Sequence, residues 1–201
     1  MNLITQNAKL KKTSKQMGVR VFNFGIPAYK TKSWKVTCPF AGGCVKFCYA
    51  QKGAYIWSNV FPAYEKRYLI SKQHDFAEIM TEEIIKKKAE YVRVHDSGDF
   101  YSRDYTKKWI KIAKMNPDVK FYAYTNSMEM VKNLKFPDNW DIIFSDSGKQ
   151  SHLIDKDKDR HTKIFHSHEE LISMRYTDCS ENDLYATKWF NKDNKIGLIK
   201  H

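Results

Sequence analysis

No stretch of the 201 residues approaches the roughly 18 consecutive apolar positions of a membrane-crossing helix, and the opening MNLITQNAKLKK lacks the apolar run of a secretory leader. A cytoplasmic protein with no membrane attachment is the expectation. Cysteine is scarce, with four in the chain, and where thiols stay reduced a disulfide framework is the less favoured use of them. Repeats and low-complexity tracts are missing too, which with 42% apolar and 14% aromatic content points to one globular domain over residues 1–201. Acid is absent from the first 64 residues, although ten of the 35 basic residues lie there. The remainder is nearly balanced, 25 basic against 23 acidic, so almost all of the net charge of +12 stands in one third of the chain. Such asymmetry fits nucleic acid or another polyanion as partner, and it fits a plain lysine-rich soluble surface as well.

What is present begins with a change of period. Residues 60–72 and 76–89 carry helical spacing, the second opened by Asp75 with Glu78 in a capping-box arrangement. YVRVH (91–95), VKFYAYT (119–125), DIIFS (141–145), HTKIF (161–165) and KIGLI (195–199) read as strands. Helical stretches at 102–115 and 127–134 stand between them, the second with Ser127 as its cap, and 147–161 reads as one long loop. Strands alternating with helices build a parallel sheet. Five or six strands are too few for a closed eightfold barrel, so the fold class is α/β, as a partial, open parallel β/α barrel.

In such folds chemistry gathers where strands end. Three successive strands here run into small polar turns: Asp96-Ser97-Gly98-Asp99, Asn126-Ser127 and Asp146-Ser147-Gly148. Turn chemistry alone favours these residue types after a strand, yet three in equivalent places suggest a shared rim. His95 ends the first of these strands and is the candidate acid or base there, although a lone buried histidine is more often structural.

The densest chemistry is CPFAGGCVKFCYAQKG at 38–53, where Cys38, Cys44 and Cys48 are spaced C-x5-C-x3-C within a basic segment and cysteine loop at 1–58. Close thiolates with Gly42 and Gly43 between them suit a soft metal or an iron–sulfur cluster. Zinc would need a fourth ligand, with Cys179, His95 or His166 available if the fold returns one of them. Packed, inert thiols are the plainer alternative. Tyr49, Tyr55 and Trp57 beside the loop could stack on unpaired bases, or simply pack.

CPFAGGCVKFCYAQKG, the following PAYEKR, VRVHDSGDFYSRDYTKKWIKIA and FYAYTNS together resemble the phage gene-product-88 family over about residues 18–146. The order of these elements is similar to that of radical S-adenosylmethionine enzymes. That resemblance implies a [4Fe-4S] cluster on Cys38, Cys44 and Cys48, with Phe47 as the aromatic before the last cysteine. It also implies S-adenosylmethionine held near Ser97, Gly98 and Asp99; the strand-end turns would add Asn126, Ser127 and Asp146 along the rim. The spacing departs from the C-x3-C-x2-C of those enzymes, which bears on the cofactor more than on the cluster. The tail keeps Cys179, Trp189 and His201 but has Asn182, Tyr185 and Lys188 where further cysteines would make a second metal site. Two functions follow as expectations: an iron–sulfur enzyme acting on a nucleic acid or small anion, or a basic nucleic-acid-binding protein whose metal only folds the loop.

Overall fold

The computed structural model describes residues 2–200. His201, which the resemblance singles out in the tail, lies outside the described residues. Along the chain run α1 (Ala8–Met17), β1 (Val21–Phe24), α2 (Phe61–Lys72), α3 (Phe76–Lys87), β2 (Tyr91–Val94), α4 (Arg103–Met115), β3 (Lys120–Thr125), α5 (Met128–Val131), β4 (Trp140–Ser145), β5 (His161–Phe165), α6 (His168–Ser173), β6 (Thr177–Asp178) and β7 (Lys195–Ile199).

The strands form one seven-stranded sheet in the order β1-β2-β3-β4-β5-β7-β6, every pairing parallel. Parallel neighbours joined by right-handed crossovers in sequential order put their helices on the same face. Accordingly Phe24, Val92, Val94, Phe121 and Ala123 share one core with Phe76, Met80 and Ile84 of α3 and Trp109 and Ile112 of α4. The Trp109 ring meets Phe24 edge-on at 5.1 Å and Phe76 at 5.6 Å. Alternate residues point the other way, where Val21, Tyr91 and Tyr122 pack with Leu10 of α1 and with Leu184. The sheet is open. Its β1 edge is covered by Thr5, which exchanges backbone hydrogen bonds with Asn23 at 2.9 and 2.7 Å and so leaves less free edge for another chain.

The α/β class and the parallel sheet agree with the sequence pattern. The strand count rises to seven because two strands are added to the five named segments: β1, Val21–Phe24, which the sequence pattern passed over, and β6, a two-residue edge strand paired only with β7. Two helices escape the pattern. In α1 the lysines hide a stripe of only Leu10 and Thr13, and the helix is fixed by its ends: Asn7 Oδ1 accepts from Leu10 N at 2.9 Å, and Gly18 closes it at φ 65°. In α6 Ser167 provides the cap. Ser102 caps α4, accepting from Tyr105 N at 3.2 Å. Asp75 and Ser127 do not cap: their backbones at φ −89°, ψ 11° and φ −93°, ψ 63° lack the extended conformation that aims a side chain at the first helical N–H groups.

Candidate functional site at the rim of the sheet

The segment between β1 and α2 folds back over the carboxyl ends of the strands, and backbone bonds tie it there. Ile26 N donates to Ser97 O at 3.0 Å, Asp99 N to Thr37 O at 3.1 Å and Lys149 N to Phe40 O at 2.9 Å. Close approach also demands glycine. A Cβ on Gly42 would come within 2.6 Å of Ser147 O, and one on Gly98, at φ 81°, within 2.2 Å of Ile26. Gly43 meets nothing within 4 Å, so of the two neighbouring glycines only Gly42 is required. The turns after β2, β3 and β4 thus meet the cysteine loop on one edge.

Two aspartates act as staples. Asp99 Oδ1 accepts from Thr125 Oγ1 at 2.6 Å and Phe100 N at 2.7 Å, and Oδ2 accepts from Asn126 N at 2.9 Å. Burial nevertheless pushes its carboxyl up to about 6, with those donors pulling the other way. Ser127 lies near enough to add to that pull, but its hydroxyl has no partner in hydrogen-bond geometry. Asp96 holds the other side: Oδ2 accepts from Tyr55 at 3.1 Å and Tyr64 at 3.2 Å, while its carbonyl accepts from the Tyr49 hydroxyl. This tyrosine cluster was not legible in the sequence beyond the DSGD turn itself. Tyr49 and Tyr55 are therefore both anchored by their hydroxyls, Tyr49 with 57% of its surface still exposed, whereas Trp57, 59% exposed, belongs to no such bond network.

Cys38, Cys44 and Cys48 are free thiols, each partly exposed. Tyr29 N donates to Cys38 Sγ at 3.3 Å, the kind of bond that steadies a thiolate. Burial pushes the Cys38 thiol up, the Asp99 carboxylate adds to this, and charge on Cys48 and Cys44 adds further, against the Tyr29 N–H. The three thiols and Asp99 thus sit within electrostatic reach of one another, an arrangement that a bound cation would relieve. The donor chemistry fits a soft metal or iron–sulfur cluster. Among the described residues, however, no three His, Cys, Asp or Glu side chains stand close enough together to hold a metal ion. Cys44 lies in the short 3-10 turn Gly43–Phe47 and Cys48 directly after it.

The remaining sequence candidates are dispersed. His95 is 4% exposed with φ 69°, packed edge-on against Phe100, its Nε2 bonded to Tyr105 OH at 2.9 Å. Burial lowers its pKa to about 3, so it is neutral and faces the helix layer. Cys179 packs with Ile143, Ala186 and Ile196, its thiol donating to Tyr185 O at 3.3 Å. His166 is exposed after β5, its N–H on Glu170. Asp146 pairs with Lys156 at 3.2 Å, and Asn126 Oδ1 accepts from Ser147 Oγ at 3.4 Å. In the basic third, Lys9 is already engaged with buried Asp183 at 3.3 Å. No described helix is long and apolar enough to cross a membrane.

The family model described as Gene product 88 matches residues 1–199. The chain belongs to the Gene product 88 family. Over 101 residues this Gene product 88 protein is 31% identical to the Gene 88 protein of Mycobacterium phage L5 and 30% identical to that of Mycobacterium phage D29. Each alignment takes in 44% of this chain and 42% of the relative, so the chain spans less than half the length of the curated relatives it matches. No solved structure matches it.

Proposed function

We propose that this Gene product 88 protein is an iron–sulfur protein, radical-S-adenosylmethionine-like in arrangement, whose open sheet serves as a partial β/α barrel. Cys38, Cys44 and Cys48 would hold a [4Fe-4S] cluster at its rim. The observation that carries the reading is the seat of the three thiols, in one loop bonded to the turns after β2 and β4. When bound, a cluster held by three thiolates keeps one iron open to a small ligand such as S-adenosylmethionine.

The chain's own residues supply the surroundings. Tyr29 N–H orients Cys38 Sγ; Asp99 fixes the turns after β2 and β3; the unpartnered Ser127 hydroxyl and the half-buried Asn126 offer polar atoms to a ligand beside Ser97 and Gly98. Zinc fits less well, because two candidates for its fourth ligand are spent elsewhere, Cys179 in packing and His95 on Tyr105, which leaves the exposed His166 after β5. The substrate would be an anion, nucleic acid included, since five lysines and no acid lie between β1 and α2.

Anaerobic purification with iron, sulfide and zinc analysis and electron paramagnetic resonance tests this. Expected is a brown protein with about four iron atoms per chain. Cys38→Ser, Cys44→Ser and Cys48→Ser should each lose most of the iron, and Cys179→Ser should keep it. A colourless, zinc-loaded protein would overturn the reading and favour a basic nucleic-acid-binding protein whose metal only folds the loop, a role to which the exposed Tyr49 and Trp57 lend themselves.

A further inference from the structure

Immediately before Cys38 the chain makes a tight hairpin. Lys30 and Val36 form an antiparallel bridge, Thr31 N donates to Lys35 O at 2.9 Å and Trp34 N to Thr31 O at 3.0 Å. Trp34 sits at its tip with φ 62°, a backbone region that bulky residues rarely occupy, and 77% of its surface is exposed. A tryptophan held in an unfavourable conformation and packed against almost nothing has no role in the core. A cation lies over it: Lys30 Nζ is 5.1 Å from the ring centroid, with Lys32 and Lys35 exposed alongside.

We propose that this hairpin is a stacking platform for single-stranded nucleic acid, in which the Trp34 indole takes an unpaired base and Lys30, Lys32 and Lys35 take the flanking phosphates. The occupant follows from charge and shape. No acidic residue occurs before Glu65, and that one carboxylate, which accepts from Lys32 N at 2.8 Å, faces three lysines of the hairpin, so the excess charge still suits a polyanion; an isolated indole matches the face of a base, which a duplex keeps hidden in its stack. An anionic membrane would instead call for a continuous apolar face, whereas Trp34 is flanked by Thr31, Lys32, Ser33 and Lys35. The hairpin is also anchored to the rim. Asp99 N, in the turn after β2, donates to Thr37 O at 3.1 Å, while Thr37 N donates to Tyr29 O at 2.9 Å and Thr37 Oγ1 to Pro27 O at 2.6 Å to close the stem, one residue from Cys38. The stem of the hairpin therefore runs directly into Cys38. The inference rests on the cluster reading only for what happens after binding.

The test is a titration near physiological salt with a labelled 20-mer single strand, as DNA and as RNA, the matching duplex, and phosphatidylserine vesicles. Iron per chain is measured in the same samples. Expected is binding of the single strand over the duplex, weakened at least about fivefold by Trp34→Ala and largely retained by Trp34→Phe. Changing Lys30, Lys32 and Lys35 together to Gln should lower the slope of log affinity against log salt by about 2. Equal affinity in Trp34→Ala, equal binding of duplex, or binding of vesicles without oligonucleotide would each overturn the proposal. Iron without oligonucleotide binding sinks this inference alone, and oligonucleotide binding without iron sinks the cluster alone.

Discussion

Tryptophan occurs in two settings in this protein. Between β1 and the helix layer, Trp109 is wholly buried against Phe24, Phe76 and Tyr105. On the cysteine loop, Trp34 and Trp57 stand mostly in solvent, as does Phe47. The difference lies in the local backbone. An amphipathic helix such as α4 gathers its apolar side chains into one stripe that a sheet can cover. The loop's short 3-10 turns, Gly43–Phe47, Tyr49–Gln51 and Gly53–Ile56, point successive side chains in different directions and build no such face. One region is held by burial; the other is held by its tyrosines on Asp96 and by backbone bonds to the turns after β2 and β4, and its apolar groups stay available to a partner.

The comparison is broken most directly in the core. Trp109→Ala is expected to cost about 3–5 kcal/mol, through lost burial and the cavity left behind, read as a fall in the urea midpoint. Next comes the staple. Asp99→Ala strands the Thr125 hydroxyl and the Asn126 and Phe100 amides without an acceptor, for an expected cost of about 3 kcal/mol. The two losses should differ in place: proteolysis ought to open the turns at 96–99 and 125–127 first in Asp99→Ala, where all bonds of its side chain lie, while Trp109→Ala should unfold globally. A common cleavage pattern for both would mean that rim and core are one cooperative unit.

Most of the sheet was legible because its strands keep period two between helices of period 3.6. β5, His161–Phe165, matches its sequence segment residue for residue. Elements that depend on their neighbours were not legible. β6 exists only because β7 pairs with it, and α1 is fixed by its caps rather than by a stripe. At the site, the turns after β2, β3 and β4 could be assigned to one rim from the topology of parallel strands alone. The partners of Asp96 could not, since Tyr55 and Tyr64 lie 41 and 32 residues away in the chain. Likewise the charge of residues 1–64 says nothing of which lysines are spent, as Lys9 is on Asp183.

A smaller effect concerns pH in the metal-free protein. His95 titrates near 3 in the fold against about 6.5 when unfolded, so below about pH 6.5 the unfolded chain binds a proton that the fold refuses. Stability from this group is full above 6.5 and lost as pH falls, by up to about 1.4 kcal/mol per pH unit. Asp99, raised from 3.8 to about 6, works in the opposite sense: between those values the fold holds a proton that the unfolded chain releases, so stability falls as pH rises. The two nearly cancel from about pH 4 to 6. His95→Asn, which tolerates the φ of 69°, should unmask the Asp99 contribution, turning a flat profile into one that declines with rising pH across that window. A profile unchanged by the substitution would mean that His95 titrates normally.

The smallest expected effect sharpens the comparison most. Trp57→Ala removes the same side chain as Trp109→Ala, but from a site where 59% of it is already in water. Its backbone keeps its role regardless, because Trp57 O accepts from Val60 N and Phe61 N, both at 2.9 Å, to start α2, and alanine preserves both bonds. Stability should therefore shift by no more than about 0.5 kcal/mol in urea unfolding. A loss above about 1.5 kcal/mol would mean that the indole packs against the loop in solution, and the division into a buried and an offered set of aromatics would fail at that residue. If the shift is small, indole fluorescence from Trp57 reports on whatever docks beside the cysteines without disturbing the fold that carries them.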